Sequence, residues 1–265
     1  MPKVSVIMGL YNAADTLAQA MDSILAQTYG DWEIILCDDG SGDTTAELAR
    51  AYRDRDPGRI RLLRNERNLG LGAALNRCLA VAEGAYIARM DADDVSGPER
   101  LERQAAYLDR HPDCAVVGCA MVHFDELGEF RVSRPPGEPE LRDYLLETPF
   151  CHGTVMVRAE AYRAVGGYRT APELLRVEDV DLWLRLYEAG FRGRNLTEPL
   201  YRMRDDRRAA KRRRLRDRVH STLVRLRGMK RLNAPLRYWP LALRPILVGL
   251  LPGPVYRYLH RIRCP

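Results

Sequence analysis

Short apolar runs alternate with amphipathic segments along the first part of the chain. Strands are predicted over 3–10, 32–38, 59–64 and 85–90, where apolar and β-branched residues cluster. Helices are predicted between them, from Asp15 or Thr16, over 44–55 and over 71–83. The repeated strand–helix order predicts an α/β fold, with a mostly parallel central sheet and helices on both faces.

The pattern continues less regularly to residue 203. Helices are predicted over 98–110, 141–147, 160–165 and 178–189, and strands over 115–124 and 153–158, while residues 200–203 are expected to close the domain. Residues 125–139 are expected to form a loop or a hairpin. Since right-handed crossovers bring the strand-to-helix loops to one rim of the sheet, Tyr11, Asp38, Asp39 and Asn68 are expected to meet there with the acids after residue 90.

Three carboxylates, Asp91, Asp93 and Asp94, follow the fourth predicted strand within four positions. Carboxylates packed so closely repel one another unless a cation lies among them. They are hard oxygen ligands suited to Mg²⁺ or Mn²⁺. The other interpretation is an acidic turn in which Asp94 or Ser96 caps the next helix; the surrounding motifs favour the metal.

The crevice lacks the motifs of common nucleotide folds. No GxGxxG follows the first strand, and no Walker A motif is present. An aromatic residue, Tyr11, and a carboxylate, Asp39, suit a nucleobase with its ribose, and a divalent cation suits a diphosphate. The ligand implied is a nucleoside diphosphate attached to another group.

The chain has 265 residues and is 46% hydrophobic, enough for one large domain and an appendage. Its six cysteines form no CxxC pair, which predicts buried free thiols in a reducing compartment. The first apolar run reads as a strand rather than a secretory signal, and no apolar run reaches the length of a membrane span.

Charge divides the chain into an acidic body and a basic tail. Residues 1–203 carry a net charge of −9 and residues 204–265 a net charge of +15, within a total of +6. Leu215, Val219, Leu223, Leu226 and Met229 recur at helical spacing, which predicts a basic amphipathic helix. The tail is expected to lie on an anionic membrane surface. The alternative is a helix packed on the acidic domain; nucleic-acid binding is not expected, because no reader fold is recognisable.

Several motifs resemble those of family 2 glycosyltransferases, which have the GT-A fold. In chain order they are Val4-Ser-Val-Ile with Tyr11-Asn12, Asp38-Asp39-Gly40-Ser41, Asn68-Leu69-Gly70, Asp91-Ala92-Asp93-Asp94 and Glu178-Asp179. Residues 87–94 together with 181–186 are similar to the branch that builds amylovoran-type bacterial exopolysaccharides. The resemblance covers residues 3–203, which would be a GT-A domain, with 204–265 as the tail.

The resemblance implies a role for each motif. Asp39 would contact the base, Asp93 would bind Mn²⁺ or Mg²⁺ directly, and Asp91 would lie near the ribose or a metal-bound water. Asp179 would be the catalytic base, in place of the dipole-favoured helix start that it would otherwise indicate.

Four further residues keep two interpretations each. Tyr11 either contacts the nucleobase or only packs, and Asn68 either binds the donor or fixes its own loop. His152 is either a core residue or a contact to the diphosphate or metal. Glu178 either caps a helix or assists the nucleotide-sugar site.

The function implied is an inverting, metal-dependent transfer of one sugar from a nucleotide sugar, expected to be a UDP-sugar. The acceptor would be a saccharide or a lipid-linked sugar in cell-surface or exopolysaccharide synthesis. The QxxRW motif of processive synthases is absent, which favours single transfer. One departure from the family pattern is Gly9-Leu10, which stands where many members have a proline. The alternative function is a catalytically silent nucleotide-sugar-binding scaffold at the membrane. The expected location is cytoplasmic, at the inner face of the plasma membrane.

Overall fold

The computed structural model describes residues 3–146, 148–205 and 215–250. They contain one nine-stranded sheet in the order β3-β2-β1-β4-β8-β6-β9-β5, with β7 paired to β6. The strands are β1 Val4–Leu10, β2 Trp32–Asp38, β3 Ile60–Arg64, β4 Tyr86–Arg89, β5 Val95–Ser96, β6 Cys114–Asp125, β7 Gly128–Ser133, β8 Met156–Arg158 and β9 Arg192–Arg204.

Helices cover both faces of the sheet, as the strand–helix pattern predicts. They are α1 Leu17–Leu25, α2 Thr45–Arg55, α3 Leu71–Val81, α4 Arg100–Arg110, α5 Leu141–Leu146, α6 Ala159–Val165, α7 Glu178–Glu188, α8 Leu215–Arg231 and α9 Arg244–Leu250. Short 3₁₀ segments precede β8, α7 and α9.

The first four strands in the order are parallel, and the rest of the sheet is mixed. β1 pairs in parallel with β2 and β4, and β2 with β3. β8 lies antiparallel between β4 and β6, while β6 and β9 are parallel. The carboxyl ends of β1, β2 and β4 therefore lie at one edge, which confirms the expected convergence of their loops.

Alternation along β1 divides the core into two layers. Val6 and Met8 pack on one face, in the apolar cluster that also contains residues of α1 and α4. Ile7 packs on the other face, in the cluster that contains residues of α3 and α7. Burial of each such side chain contributes about 1.5–3 kcal/mol.

Two elements differ from the sequence expectation. β8 begins at Met156 rather than 153, because His152–Thr154 form a 3₁₀ turn in which Thr154 donates its backbone N–H to the Cys151 carbonyl. β9 covers Arg192–Arg204, where only the end of the domain at 200–203 was expected, because the first half of this strand is too polar to show as a strand in sequence. The segment 125–139 contains the hairpin formed by β6 and β7, one of the two forms expected.

The start of the basic tail packs on the domain. The predicted helix exists as α8, but its buried face matches the predicted stripe only in part. Leu215 and Leu223 of the stripe are exposed, whereas Met229 is buried in the same core as Trp183, together with Val224, which the stripe did not include. A Cβ on Gly228 would lie 2.7 Å from the Leu184 side chain, so α8 crosses α7 closely there.

The predicted tail extends beyond the described residues, because 206–214 and 251–265, which include Cys264, lie outside them. Within the described ranges, no helix is both long and apolar enough to span a membrane. The other five cysteines are free, and all but the half-buried Cys151 are buried, as predicted.

Candidate active site

A cleft of about 410 Å³ opens where the loops after β1 and β2 meet the starts of α3 and α7. We name it the first cleft. Four residues predicted to bind a nucleotide sugar line it: Tyr11, Asp39, Asn68 and Glu178. They come from four separate segments, so only the sheet topology brings them together.

Asp39 shapes one wall of the first cleft. Its buried carboxylate accepts hydrogen bonds from Asn65 Nδ2 at 2.6 Å, Leu69 N at 2.9 Å and Gly70 N at 2.8 Å. Hydrogen bonds to an ionised acceptor are the stronger kind. Asp39 therefore holds the 65–70 loop in place while it faces the cleft.

Tyr11 stands at the mouth of the first cleft, with 52% of its surface exposed. The next residue joins two loops: Asn12 N donates to Ser41 Oγ at 3.0 Å, and Gly42 N donates to Asn12 Oδ1 at 2.9 Å. An exposed ring on a fixed loop can stack on a planar ligand.

Asn68 takes the loop-fixing interpretation in this structure. Its Oδ1 accepts a hydrogen bond from Gly70 N at 3.0 Å, which closes a turn before α3. The side chain is exposed at the cleft wall, so this bond and a contact to a ligand are compatible.

The acidic triplet places carboxylate oxygens of Asp91, Asp93 and Asp94 within 4.8 Å of one another. Asp91 forms an ion pair with Arg89, which is itself buried. Asp94 is buried and accepts a hydrogen bond from Arg204 N at 2.7 Å. Asp93 is exposed.

These contacts show that the helix-cap interpretation of Asp94 and Ser96 is wrong, and that the three acids have different surroundings. Asp94 caps no helix, because α4 begins only at Arg100 and its N-terminus has no side-chain cap. Ser96 does not cap it either; its hydroxyl accepts a hydrogen bond from Gln27 Nε2 at 3.1 Å. Asp94 instead holds the end of β9 beside the triplet.

The electrostatics of the triplet fit a divalent cation. Although the Asp93 side chain reaches solvent, the surrounding protein atoms partly desolvate its carboxyl group and raise its pKa, and the Asp91 carboxylate raises it further. Burial also raises the pKa of Asp94 well above its usual range, with repulsion from Asp91 and Asp93 added. Clustered oxygen ligands that resist ionisation together are the donor set that Mg²⁺ or Mn²⁺ stabilises.

Behind the triplet lie Arg100 and Tyr201, two residues that the sequence analysis did not select. Arg100 is fully buried and donates Nη1 to the carbonyls of Arg89, at 3.1 Å, and Gly153, at 2.9 Å. The Tyr201 hydroxyl accepts a hydrogen bond from Asp91 N at 3.2 Å and hydrogen-bonds the Asp94 side chain. The sequence feature that could have pointed to buried partners behind the triplet is Arg89, a cation at the end of an apolar strand.

His152 lies in an aromatic cluster rather than on the wall of the first cleft. Its Nε2 is 2.7 Å from Tyr168 Oη, and its ring meets Trp183 edge-on. Burial lowers the pKa of His152 well below 6.5, and the charge of Arg89 lowers it further. The imidazole is therefore neutral at pH 7.

The start of α7 separates the first cleft from a second one of about 500 Å³. Asp179 lines the second cleft together with residues of α8 and α9, whereas Glu178 lines the first. Arg176, which has an unusual φ of +66°, belongs to the walls of both. Burial raises the pKa of Glu178, and the adjacent Asp179 carboxylate raises it further.

The sheet order, the acidic triplet after β4 and the paired acids at α7 together define a GT-A glycosyltransferase. The family model for glycosyl transferase family 2 matches residues 5–166. The chain belongs to this family, and it is an enzyme of the glycosyltransferase class; the resemblance found in the sequence is confirmed.

Two curated relatives agree with that membership. The chain is 45% identical over 262 residues to "Putative glycosyltransferase EpsE" of Bacillus subtilis (strain 168), covering 99% of this chain and 94% of that protein. It is 34% identical over 205 residues to the amylovoran biosynthesis glycosyltransferase AmsE of Erwinia amylovora, covering 76% and 75%.

Solved structures share the fold at lower identity. S. aureus TarS 1–349 in complex with UDP-GlcNAc superposes with a TM-score of 0.69 at 20% identity, covering 94% of this chain and 71% of that one. The mannosyltransferase PcManGT from Pyrobaculum calidifontis, in complex with GDP-Man and Mn²⁺, gives 0.65 at 19%, covering 98% and 79%.

Proposed function

We propose that this glycosyltransferase moves one sugar from a nucleotide sugar to a hydroxyl of a saccharide or lipid-linked acceptor, with inversion, in exopolysaccharide synthesis. One observation carries the proposal: a predicted nucleotide cleft and a second cleft meet at α7, and each receives one of two consecutive acids. The name of the relative AmsE supports the pathway class, and the UDP-GlcNAc complex of TarS supports a UDP-sugar donor.

The first cleft would hold the nucleoside part of the donor. The exposed Tyr11 ring would stack on the base, and Asp39, already fixed by the 65–70 loop, would accept a hydrogen bond from it. Asn68 and Glu178 complete the wall around the nucleotide sugar. His152 would act from behind, by supporting Tyr168, rather than by touching the diphosphate.

The acidic triplet would hold Mn²⁺ or Mg²⁺ through Asp93, with Asp91 close to the ribose or a metal-bound water. The bound cation would stabilise the negative charge that develops on the departing nucleoside diphosphate. Asp91 is already held by Arg89, so Asp93 is the carboxylate best placed to bind the ion directly. The Mn²⁺ in the PcManGT complex supports this choice of metal.

Asp179 would remove the proton from the acceptor hydroxyl as that oxygen attacks the anomeric carbon. Its Oδ1 accepts a hydrogen bond from Val180 N at 2.8 Å, which fixes the carboxylate at the helix start. A base that reaches the acceptor from the side opposite the leaving group gives a single displacement with inversion.

The proposal is tested by measuring transfer and donor hydrolysis with Mn²⁺ across UDP-, GDP- and dTDP-sugars. We expect activity with a UDP-sugar, and an anomeric product inverted relative to the donor by NMR. Binding of no nucleotide at all would overturn the proposal, and a retained anomeric configuration would overturn the single displacement.

The basic tail would bring the enzyme to the inner face of the membrane, where lipid-linked acceptors reside. Its net charge of +15 over residues 204–265 supports attraction to anionic lipid. Co-sedimentation of the full chain with vesicles of phosphatidylglycerol should fall as salt is added. Equal partitioning of the full chain onto neutral vesicles would reject an electrostatic attachment.

A further inference from the structure

The second cleft has a basic wall that the C-terminal helices supply. Four arginines line it, while the acids in its lining are Asp179 and Asp217. The arginines are Arg176 before α7, Arg218 and Arg225 on α8, and Arg244 at the start of α9. The cleft that contains the proposed base is thus net positive in its lining, although the body of the chain is acidic.

Two of these arginines contact neighbouring parts of the wall. The buried Arg225 donates Nη1 to the Tyr144 carbonyl at 2.9 Å and so joins α8 to α5. Arg176 Nη1 lies 3.9 Å from Asp217 Oδ2, which places one cation against one acid. Arg218 and Arg244 flank the point where α8 meets α9.

Arg218 and Arg244 are half-buried rather than solvated at the surface. Arg218 donates Nη1 to the Pro245 carbonyl at 3.4 Å, a long bond that uses one of its five donor hydrogens. Guanidinium groups on a cleft wall bind phosphate oxygens in a bidentate manner, and a neutral sugar makes no comparable use of them.

The same wall is apolar beside its arginines. Pro245 and Val248 of α9 line the cleft, and Leu247 on that helix is 59% exposed. A ligand that joins a phosphate to an apolar chain would therefore find both surfaces next to each other.

We propose that Arg218 and Arg244 bind the phosphate or diphosphate group of the acceptor, so that the tail helices build the acceptor half of the active site. This rests on the proposed function, because Asp179 as base is what makes the second cleft the acceptor side. The acceptor hydroxyl lies toward Asp179 and its phosphate toward α8 and α9. The tail arginines then select acceptors by charge.

The test measures binding of three probes to the full chain by isothermal titration calorimetry, with UDP and Mn²⁺ present to fill the first cleft. The probes are farnesyl diphosphate, glucose 1-phosphate and farnesol, which separate the lipid from the phosphate. The variants are Arg244→Gln and Arg218→Gln with Arg244→Gln. The matched control is Arg216→Gln, an exposed arginine of α8 outside the cleft lining.

We expect farnesyl diphosphate to bind the wild type, about tenfold more weakly to Arg244→Gln and more weakly still to the double variant. Arg216→Gln should match the wild type, and farnesol should bind poorly. Tighter binding of farnesyl diphosphate than of glucose 1-phosphate identifies a lipid-linked source, and the reverse identifies a soluble phosphate ester.

Equal affinity of the wild type and both variants for the phosphate probes, or an equal loss in Arg216→Gln, would overturn the assignment. UDP affinity, measured first in every variant, reports on folding and on the first cleft. If the wild type binds no nucleotide, the proposed function is wrong. If nucleotide binding is intact but the affinity for the probes is unchanged by substitution of Arg218 and Arg244, only the acceptor assignment is wrong.

Discussion

Glu178 and Asp179 are consecutive in the chain, yet Glu178 lines the first cleft and Asp179 the second. Successive side chains in an α-helix point about 100° apart, so the first turn of α7 can serve two cavities at once. The start of α7 is therefore the partition between the predicted nucleotide side and the side built with α8 and α9.

Neutralising Asp179 and neutralising Glu178 should change different kinetic parameters. Asp179→Asn should lower kcat by about 10²–10⁴-fold and leave nucleotide affinity unchanged, because it removes only the proton acceptor. Glu178→Gln should mainly raise the donor KM, since its carboxylate faces the first cleft. Steady-state kinetics and UDP titrations distinguish the two. Full activity of Asp179→Asn would remove it as the base.

Metal dependence should reside in Asp93. Asp93→Asn should weaken Mn²⁺-dependent UDP binding by about tenfold or more, because it removes the exposed carboxylate of the triplet. Chelation with EDTA should abolish transfer, and added Mn²⁺ should restore it. Calorimetry in the presence and absence of Mn²⁺ measures the effect, with Glu126→Gln on the exposed hairpin turn as control. Equal Mn²⁺ dependence in both variants would place the metal elsewhere.

Gly40 should be the more sensitive of two nearby glycines. It has φ +71°, and a Cβ there would lie 2.7 Å from the Arg67 backbone, whereas a Cβ on Gly42 meets nothing within 4 Å. Gly40→Ala should lower the free energy of unfolding by about 1–3 kcal/mol and weaken nucleotide binding. Gly42→Ala should be near neutral in urea denaturation. Similar losses of stability in the two variants would show that the 65–70 loop does not pack closely against Gly40.

His152 should make the fold less stable in mild acid. The pKa of His152 is depressed below 6.5 in the folded state, so the unfolded chain binds a proton at a higher pH than the folded chain does. The free energy of unfolding therefore falls as pH drops below about 6.5. Asp94 and Glu178, whose pKa values are raised, act in the opposite direction. A comparison with a variant isolates the histidine.

Between pH 7.5 and 5.5, the wild type should lose about 1 kcal/mol more stability than His152→Gln, since the variant has no imidazole to protonate. Chemical denaturation at the two pH values measures the difference. Parallel loss in both proteins would mean that His152 titrates normally in the folded state.

Local pattern determined much of this protein. Apolar runs and helix starts identified β1 to β4 and their helices, because β1, β2 and β4 are buried on both faces, β3 contains a short apolar run, and each helix has one apolar side. The acidic triplet was visible as a metal-type cluster for the same reason: its members are adjacent in the chain, so spacing alone brings their oxygens together.

Tertiary structure decided what spacing cannot express. Arg100 and Tyr201 act on the triplet from α4 and β9, and their contacts depend on how distant segments pack. The first half of β9 is polar, and it is a strand only because β6 offers it a parallel partner. The same holds for α8. Its periodicity predicted a helix, but the face that is buried depends on how α8 packs against α7, which the sequence of α8 alone does not determine.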